Sequence, residues 1–374
     1  MTQLHDIEPP TIPRILRIGT LNIRYDYHAR HPIVSPLKTL LQGSDGRKWG
    51  EHLWQERRDQ LVDQVLWEEL DIVGFQEVLD GQFEDLRALM GAEFGSVGVG
   101  RDDGKKAGEA VPVFYRRSRL ELLSVSHFWL SPTPEIPGSK GWDAVQPRMC
   151  TVARFSDRAS TSAANHADLI VANTHWDDRG LKAREESARL ILSRIEQEIR
   201  GGRSETDTPI SEKEPLVVLL GDLNSPAEEA GYQVLTGGRY PASGKIGAAE
   251  AANGGRSFYD SRHELVTRGS KFAAAGAVSG RFGPLNTYTG FSPSDTPKVI
   301  DFILPFANSA FLSPHASSGA SPSPSTWHVS RYGVVGNFFE DVGGRRVEGK
   351  EGERDAMILS DHRLVVAVFR EAGR

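Results

Sequence analysis

Short apolar runs that end on a polar residue recur along the chain. Residues 14–23 (RILRIGTLNI), 71–78 (DIVGFQEV) and 168–175 (DLIVANTH) have the length and residue types of strands. Residues 215–221 (PLVVLLG) are apolar on both faces, which predicts a strand covered on both sides. Residues 299–304 (VIDFIL) and 364–369 (LVVAVF) complete the strand set. Two segments carry a helical stripe instead. Residues 51–70 place Trp54, Leu61, Val65 and Leu66 on one face, and residues 182–200 place Ala188, Ile191, Ile195 and Ile199 on one face. This pattern predicts sheets with helices packed outside them.

Two polar stretches interrupt the pattern. Residues 201–214 read as a surface loop before the most apolar strand. Residues 309–326 are rich in Ser, Pro and Ala and bury too little apolar area to offset their ordering entropy. Neither loop splits the strand-end polar residues into self-sufficient halves, and there is no internal repeat. The expectation is an N-terminal tail over 1–13 followed by one domain over 14–370 with two insertions.

Composition narrows the function classes. Across 374 residues, 44 Lys and Arg against 50 Asp and Glu leave a net charge of −6, which disfavours a broad nucleic-acid surface. The single cysteine, Cys150, excludes an intrachain disulfide framework and a thiolate metal cluster. No apolar run approaches the length of a bilayer span, so no membrane insertion is expected. The first residues carry charges and prolines with no apolar h-region, and the cytoplasm is the compartment expected from that absence of signals.

Candidate chemistry sits at strand ends. Gly221-Asp222-Leu223-Asn224 follows the doubly covered strand, where Asp222 can accept a proton and Asn224 can orient a water or phosphate, unless the pair only forms an Asx turn. Ser360-Asp361-His362 precedes the last strand, and Asp301 opens another. An aspartate there could fix the tautomer of His362 and stabilise its cationic form. His175 ends its strand and is followed by Asp177 and Asp178, which read as caps for the next helix. Asn22 and Glu77 sit in otherwise apolar strands and suit a hard cation such as Mg²⁺ or Mn²⁺. Glu77 is the first choice of ligand, the alternative being an ordinary ion pair with Arg or Lys.

These motifs occur in order as TLNIR (20–24), FQEV (75–78), NTH (173–175), GDLN (221–224), IDF (300–302) and SDH (360–362). The set resembles the endonuclease/exonuclease/phosphatase superfamily, over about residues 14–369. Within it, WQERR (54–58), VGRDDG (99–104), VFYR (113–116), PGSKGWD (137–143), Pro147-Arg148 and AREESA (183–188) resemble a subgroup of metal-dependent hydrolases. The resemblance implies a DNase I-like four-layer α/β sandwich of two packed mixed sheets flanked by helices. It implies Glu77 as the main metal ligand with Asn22 and Asp361 near it. Asp222 and Asn224 would orient or deprotonate the attacking water, and Asp301 would hold His362 against the phosphate. His175 would bind phosphate or assist the leaving group, Glu109 would hold His175, and Arg148 would contact phosphate. The implied reaction is hydrolysis of a phosphoester.

Two substrate classes stay open: RNA in a 3′–5′ exonuclease reaction, or a small phosphoester, namely a phosphorylated metabolite, a lipid head group or a cyclic phosphodiester. A nucleic-acid track would draw on Arg101, Lys105, Lys106, Arg116, Arg117 and Lys140, with Trp129, Trp142 and Trp176 as stacking platforms; the acidic total favours reading these as surface charges and packing anchors. A catalytically inactive relative that binds a phosphate ligand is the alternative from a different class. It predicts loss of a core acid or histidine, and all are present.

Overall fold

A computed structural model describes residues 13–30, 51–160, 168–201, 214–240, 256–265, 280–311, 313, 326–340 and 356–372. Its strands are β1 (Ile15–Asn22), β2 (Ile72–Gln76), β3 (Phe94–Val97), β4 (Val113–Arg116), β5 (Leu120–Trp129), β6 (Met149–Asp157) and β7 (Leu169–His175). They continue with β8 (Leu216–Asp222), β9 (Arg281–Phe282), β10 (Asp301–Pro305), β11 (Trp327–Val334), β12 (Phe338–Glu340), β13 (Ala356–Ile358) and β14 (Val365–Glu371). The helices are α1 (Tyr27–Arg30), α2 (Trp54–Trp67), α3 (Asp80–Met90), α4 (Leu181–Gly201) and α5 (Ala230–Thr236).

Among the described residues, one sheet has seven strands in the order β3-β4-β2-β1-β14-β11-β9, and a second has five in the order β10-β8-β7-β6-β5; β12 and β13 form a separate pair. Both main sheets are mixed. β1 runs parallel to β2 and β7 parallel to β8, whereas β14 is antiparallel to β1 and β10 antiparallel to β8.

Alternation along each strand builds the layers. Leu16 and Ile18 of β1, Ile72 of β2 and Val365 and Ala367 of β14 face the space between the sheets, where they meet Leu169, Val171, Leu216, Val218, Leu220 and Ile303. The neighbours of opposite parity point outward. Val73, Phe75 and Phe114 pack under Trp54, Leu61 and Val65 of α2 and Phe83 and Leu86 of α3. On the far side, Ile170, Ala172, Val217 and Leu219 pack under Ala188, Ile191 and Ile195 of α4. Helices, sheet, sheet and helices make the four-layer sandwich.

All six expected strands and both expected helices are present, with ends shifted by up to three residues. The amphipathic helix α3 and strands β3, β5 and β6 lie where the chain carries no strand-end motif. Two capping expectations need correction. The backbone N–H groups of Lys182 and Ala183, at the start of α4, donate to Asp143. Asp177 instead accepts N–H bonds from Arg179 and Gly180 in the turn before the helix and from Val145 and Gln146 of a neighbouring loop. Asp178 turns to Arg148, 3.2 Å away. Residues 1–12 of the expected tail, and most of the two expected insertions (202–213, 312 and 314–325), lie outside the described residues.

Candidate active site

The inward-facing parity of the strands does not stop where the apolar core stops. Beyond Leu16 and Ile18 it reaches Asn22, beyond Ile72 it reaches Gln76, and beyond Leu169 and Val171 it reaches Asn173 and His175. On β8 the inward series is Leu216, Val218 and Leu220, and Asp222 is its next member. Asp301 opens the antiparallel β10 directly opposite Asp222, so its carboxylate arrives at the same end from the other direction. A layer of amides closes the core beneath these groups. Gln76 Nε2 donates to Thr20 Oγ1 (3.0 Å) and Asn173 Oδ1 (2.7 Å), and Asn173 Nδ2 donates to the carbonyls of Phe75 and Pro112 across the sheets.

Backbone strain marks the same rim. Arg24, Glu77 and Asn224 have φ of 59°, 62° and 46°, and each follows a strand end by one or two residues. A left-handed residue there turns the chain sharply and aims its side chain into the cleft, at a cost of order 1 kcal/mol or more each. Gly221, with φ 141°, is required for a different reason: a Cβ at this position would sit 2.0 Å from the carbonyl oxygen of Thr174.

At the centre, Asn22 Nδ2 donates to both Glu77 Oε1 and Asp222 Oδ2, at 3.1 Å each. The backbone N–H of Tyr25 adds a bond to Glu77 Oε2. Desolvation pushes the Glu77 carboxyl up, but the Arg24 charge and these bonds outweigh it and hold the group below the usual carboxylate range. Asp222 behaves oppositely. Burial, with the nearby Asp301 charge, raises it to about 7 against the pull of His362. His362 Nδ1 lies 3.0 and 2.9 Å from the two oxygens of Asp301, and its Nε2 lies 3.7 Å from Asp222 Oδ2. Burial would lower His362, yet Asp301 and Asp222 raise it to about 10, so the ring is an imidazolium at neutral pH.

The expected partner of His175 is not its partner. Arg148 Nη1 donates to His175 Nδ1 at 2.9 Å, while Glu109 pairs with Arg101 at 2.6 Å and with Arg30. Glu109 therefore reaches His175 only through Arg148, from which it is 4.0 Å. A guanidinium has no lone pair to offer, so Nδ1 is the unprotonated nitrogen and the single proton of His175 is on Nε2, 3.5 Å from Asp222 Oδ2. Burial and the Arg148 charge hold His175 well below the ordinary histidine value. Asn224 Nδ2, also a donor, faces Nε2 at 3.1 Å; a neutral imidazole accepts at only one nitrogen, so in this tautomer that contact is not a hydrogen bond, and Nδ2 donates to the carbonyl of Trp176.

Asp361 also lines the cleft, and its carbonyl accepts the N–H groups of Thr289 and Gly290. The cleft encloses about 650 Å³. Arg24, Arg30, Arg101, Arg148, Arg179 and Lys298 bring positive charge to its wall. Of these, Arg24, Arg30 and Lys298 carried no strand-end signature in the sequence, and neither did Tyr288, whose ring meets His362 edge-on at 5.0 Å. The TLNIR motif did contain Arg24, but only the fold shows its approach to Glu77. The aromatic platforms are not formed in the cleft. Trp176 and Trp129 are buried, Trp129 Nε1 donates to the carbonyl of Arg101, and the exposed Trp142 is not among the lining residues.

The sequence profile of the Endonuclease/Exonuclease/phosphatase family matches residues 19–362. The chain belongs to this family. Solved structures agree with the fold. A family protein from Bacteroides vulgatus is 28% identical, with a TM-score of 0.62, over 96% of this chain and 99% of that one. A mannosyl-6-phosphatase from Bacteroides thetaiotaomicron is 24% identical, with a TM-score of 0.64, over 94% and 98%. The human Nocturnin catalytic domain is 14% identical, with a TM-score of 0.52, over 96% and 97%. No curated protein sequence gives a significant match.

Family members hydrolyse phosphoester bonds, generally with a divalent metal, and this chain is an enzyme of that class. The donor set fits a hard cation. Glu77 stays ionised, and Asn22 spans Glu77 and Asp222. Among the described residues, Asp222, Asp301 and His362 also bring ligand atoms within 4.8 Å of one another, but His362 Nδ1 is already engaged by Asp301. Among those residues, no helix is long and apolar enough to cross a membrane.

Proposed function

We propose that the protein hydrolyses a small phosphorylated metabolite by in-line attack of water at phosphorus. The observation that carries this reading is the cleft: a carboxylate and imidazole floor under an arginine wall, with no tryptophan among the described residues that line it and with its two tyrosines already packed, Tyr25 against Arg24 and Arg30 and Tyr288 against His362. The net charge of −6 supports the same choice.

Glu77, Asn22 and Asp361 would hold Mg²⁺ or Mn²⁺. When bound, such a cation supplies Lewis-acid charge to a phosphoryl oxygen. Asp222, with its carboxyl near neutrality, accepts the proton of the attacking water. The His362 imidazolium, steadied by Asp301, neutralises charge that develops on the phosphoryl oxygens. Neutral His175 offers its Nε2–H to a phosphoryl or leaving oxygen, and Asn224 packs beside it.

Release of phosphate from p-nitrophenyl phosphate and a panel of sugar phosphates, with Mg²⁺, Mn²⁺ or chelator, tests this function beside labelled single-stranded RNA and bis(p-nitrophenyl) phosphate. The expected result is metal-dependent release from monoesters and intact RNA. Shortening of RNA from its 3′ end without release from any small ester would replace this reading with the exonuclease one. Turnover of none of them, with no metal-induced thermal shift, would favour the inactive binding relative.

A further inference from the structure

On the side of His175 away from Asp222, three guanidiniums converge on one carboxylate. Glu109 receives Arg101 Nη1 at 2.6 Å and Arg30 Nη1, and Arg148 Nη1 stands 4.0 Å from it. Gln146 Oε1 accepts from Arg101 Nη2 at 2.5 Å and Arg30 Nη2 at 3.2 Å. Arg101, Arg148 and Glu109 are buried, and all five side chains line the cleft.

Among the described residues, the remaining acids do not complete this cluster. Asp177 approaches Arg148 Nε no closer than 4.0 Å, and its two oxygens already accept four backbone N–H groups. Asp102 and Asp178, at 3.7 and 3.2 Å from Arg101 and Arg148, are about half exposed, so water screens their charge. The Nε atoms of Arg101 and Arg148 are buried without a hydrogen-bond partner. Buried cations in this condition are costly unless a further anion completes them. Arginine forks are also the side chains best matched to the oxygens of a phosphate.

We propose that Arg30, Arg101 and Arg148 form a second anion subsite, so that the preferred substrate carries a phosphate in addition to the one hydrolysed. This rests on the hydrolase reading above and extends it to a bisphosphorylated substrate class. Tyr25 links the two subsites, because the guanidiniums of Arg24 and Arg30 lie 4.2 and 4.7 Å from its ring centre. The scissile phosphoryl sits over Asp222 and His362, and the second phosphate sits beyond His175 against Arg101.

The test is the rate of phosphate release from straight-chain diol bisphosphates of graded length against the matching diol monophosphates, with p-nitrophenyl phosphate as the reference ester. For at least one chain length the bisphosphate is expected to have a kcat/KM about tenfold or more above its monophosphate, the scale of one charge-assisted hydrogen bond. Arg101→Gln should abolish that ratio. Arg30→Gln, at a partly exposed position that tolerates change more readily, should reduce it, and Arg30→Lys should restore part of it. No preference at any length, or a preference unchanged in folded Arg30→Gln and Arg101→Gln proteins, overturns the subsite. Failure of the hydrolase reading looks different, because the reference ester and every monophosphate would then stay intact.

Discussion

Arg148 donates a 2.9 Å hydrogen bond to Nδ1 of His175. The imidazole therefore has a cation where a carboxylate was expected, and a second proton on the ring would face that cation. His175 acts as a neutral hydrogen-bond donor through Nε2. In a pH titration of the histidine Cε1–H resonances, wild-type His175 should stay neutral as the pH falls through the ordinary midpoint of about 6.5. Arg148→Gln should bring its titration up toward that value. A wild-type His175 that titrates normally would remove this account.

The Asp301–His362 pair makes the opposite prediction. Its folded-state imidazolium persists to about pH 10. Because this lies above the ordinary value of about 6.5, the pair's contribution to stability is complete below that pH and is lost as the pH rises through about 10. Thermal midpoints should fall over that alkaline range in the wild type, and the slope should flatten in Asp301→Asn. The same variant should lower kcat by on the order of 10²- to 10⁴-fold. Activity of the wild type should also fall below about pH 7 as Asp222 takes up a proton. The two limbs belong to the interacting Asp222–His362 pair rather than to isolated residues. A flat profile between the two limits and beyond them would contradict the assignment.

Gly221 couples the site to the sheet. A methyl group there would strike the Thr174 carbonyl of the adjacent parallel strand and would have to accept φ of 141°. Gly221→Ala should cost at least about 2 kcal/mol of stability. Gly81 offers a control, since it lies in α3 and a Cβ added there would meet nothing within 4 Å. Gly81→Ala should gain up to about 1 kcal/mol from helix propensity. Urea unfolding of the two variants checks both signs, and equal stability of the pair would count against the close contact.

The framework was legible because alternation and strand ends coincide in this fold. Period-two apolar runs gave the strands, and the polar residue that continued the inward series gave Asn22, His175 and Asp222. Side chains that arrive from loops left no such trace. Arg24, Tyr288 and Lys298 follow no period, and their place in the cleft depends on long-range packing that local sequence does not encode. Glu109 shows the converse. The family resemblance placed it in the site, but whether it meets His175 or Arg101 depends on side-chain geometry between two loops. Tryptophan count likewise said nothing of direction, and Trp129 and Trp176 serve the interior.

Glu77 and Asp301 offer two places for a cation, and the binding data should separate them. Chelation should abolish turnover, and Mg²⁺ or Mn²⁺ at a hundred times its dissociation constant should stabilise the fold by about 2.7 kcal/mol, seen as a rise in melting temperature. Glu77 is ionised and hydrogen-bonded through Asn22, whereas Asp301 already spends both oxygens on His362. Glu77→Gln should therefore lose most of the metal-induced shift, Asp361→Asn should lose part of it, and Asp301→Asn should keep it while losing activity. The reverse pattern, with the shift intact in Glu77→Gln and gone in Asp301→Asn, would move the ion to the group formed by Asp222, Asp301 and His362.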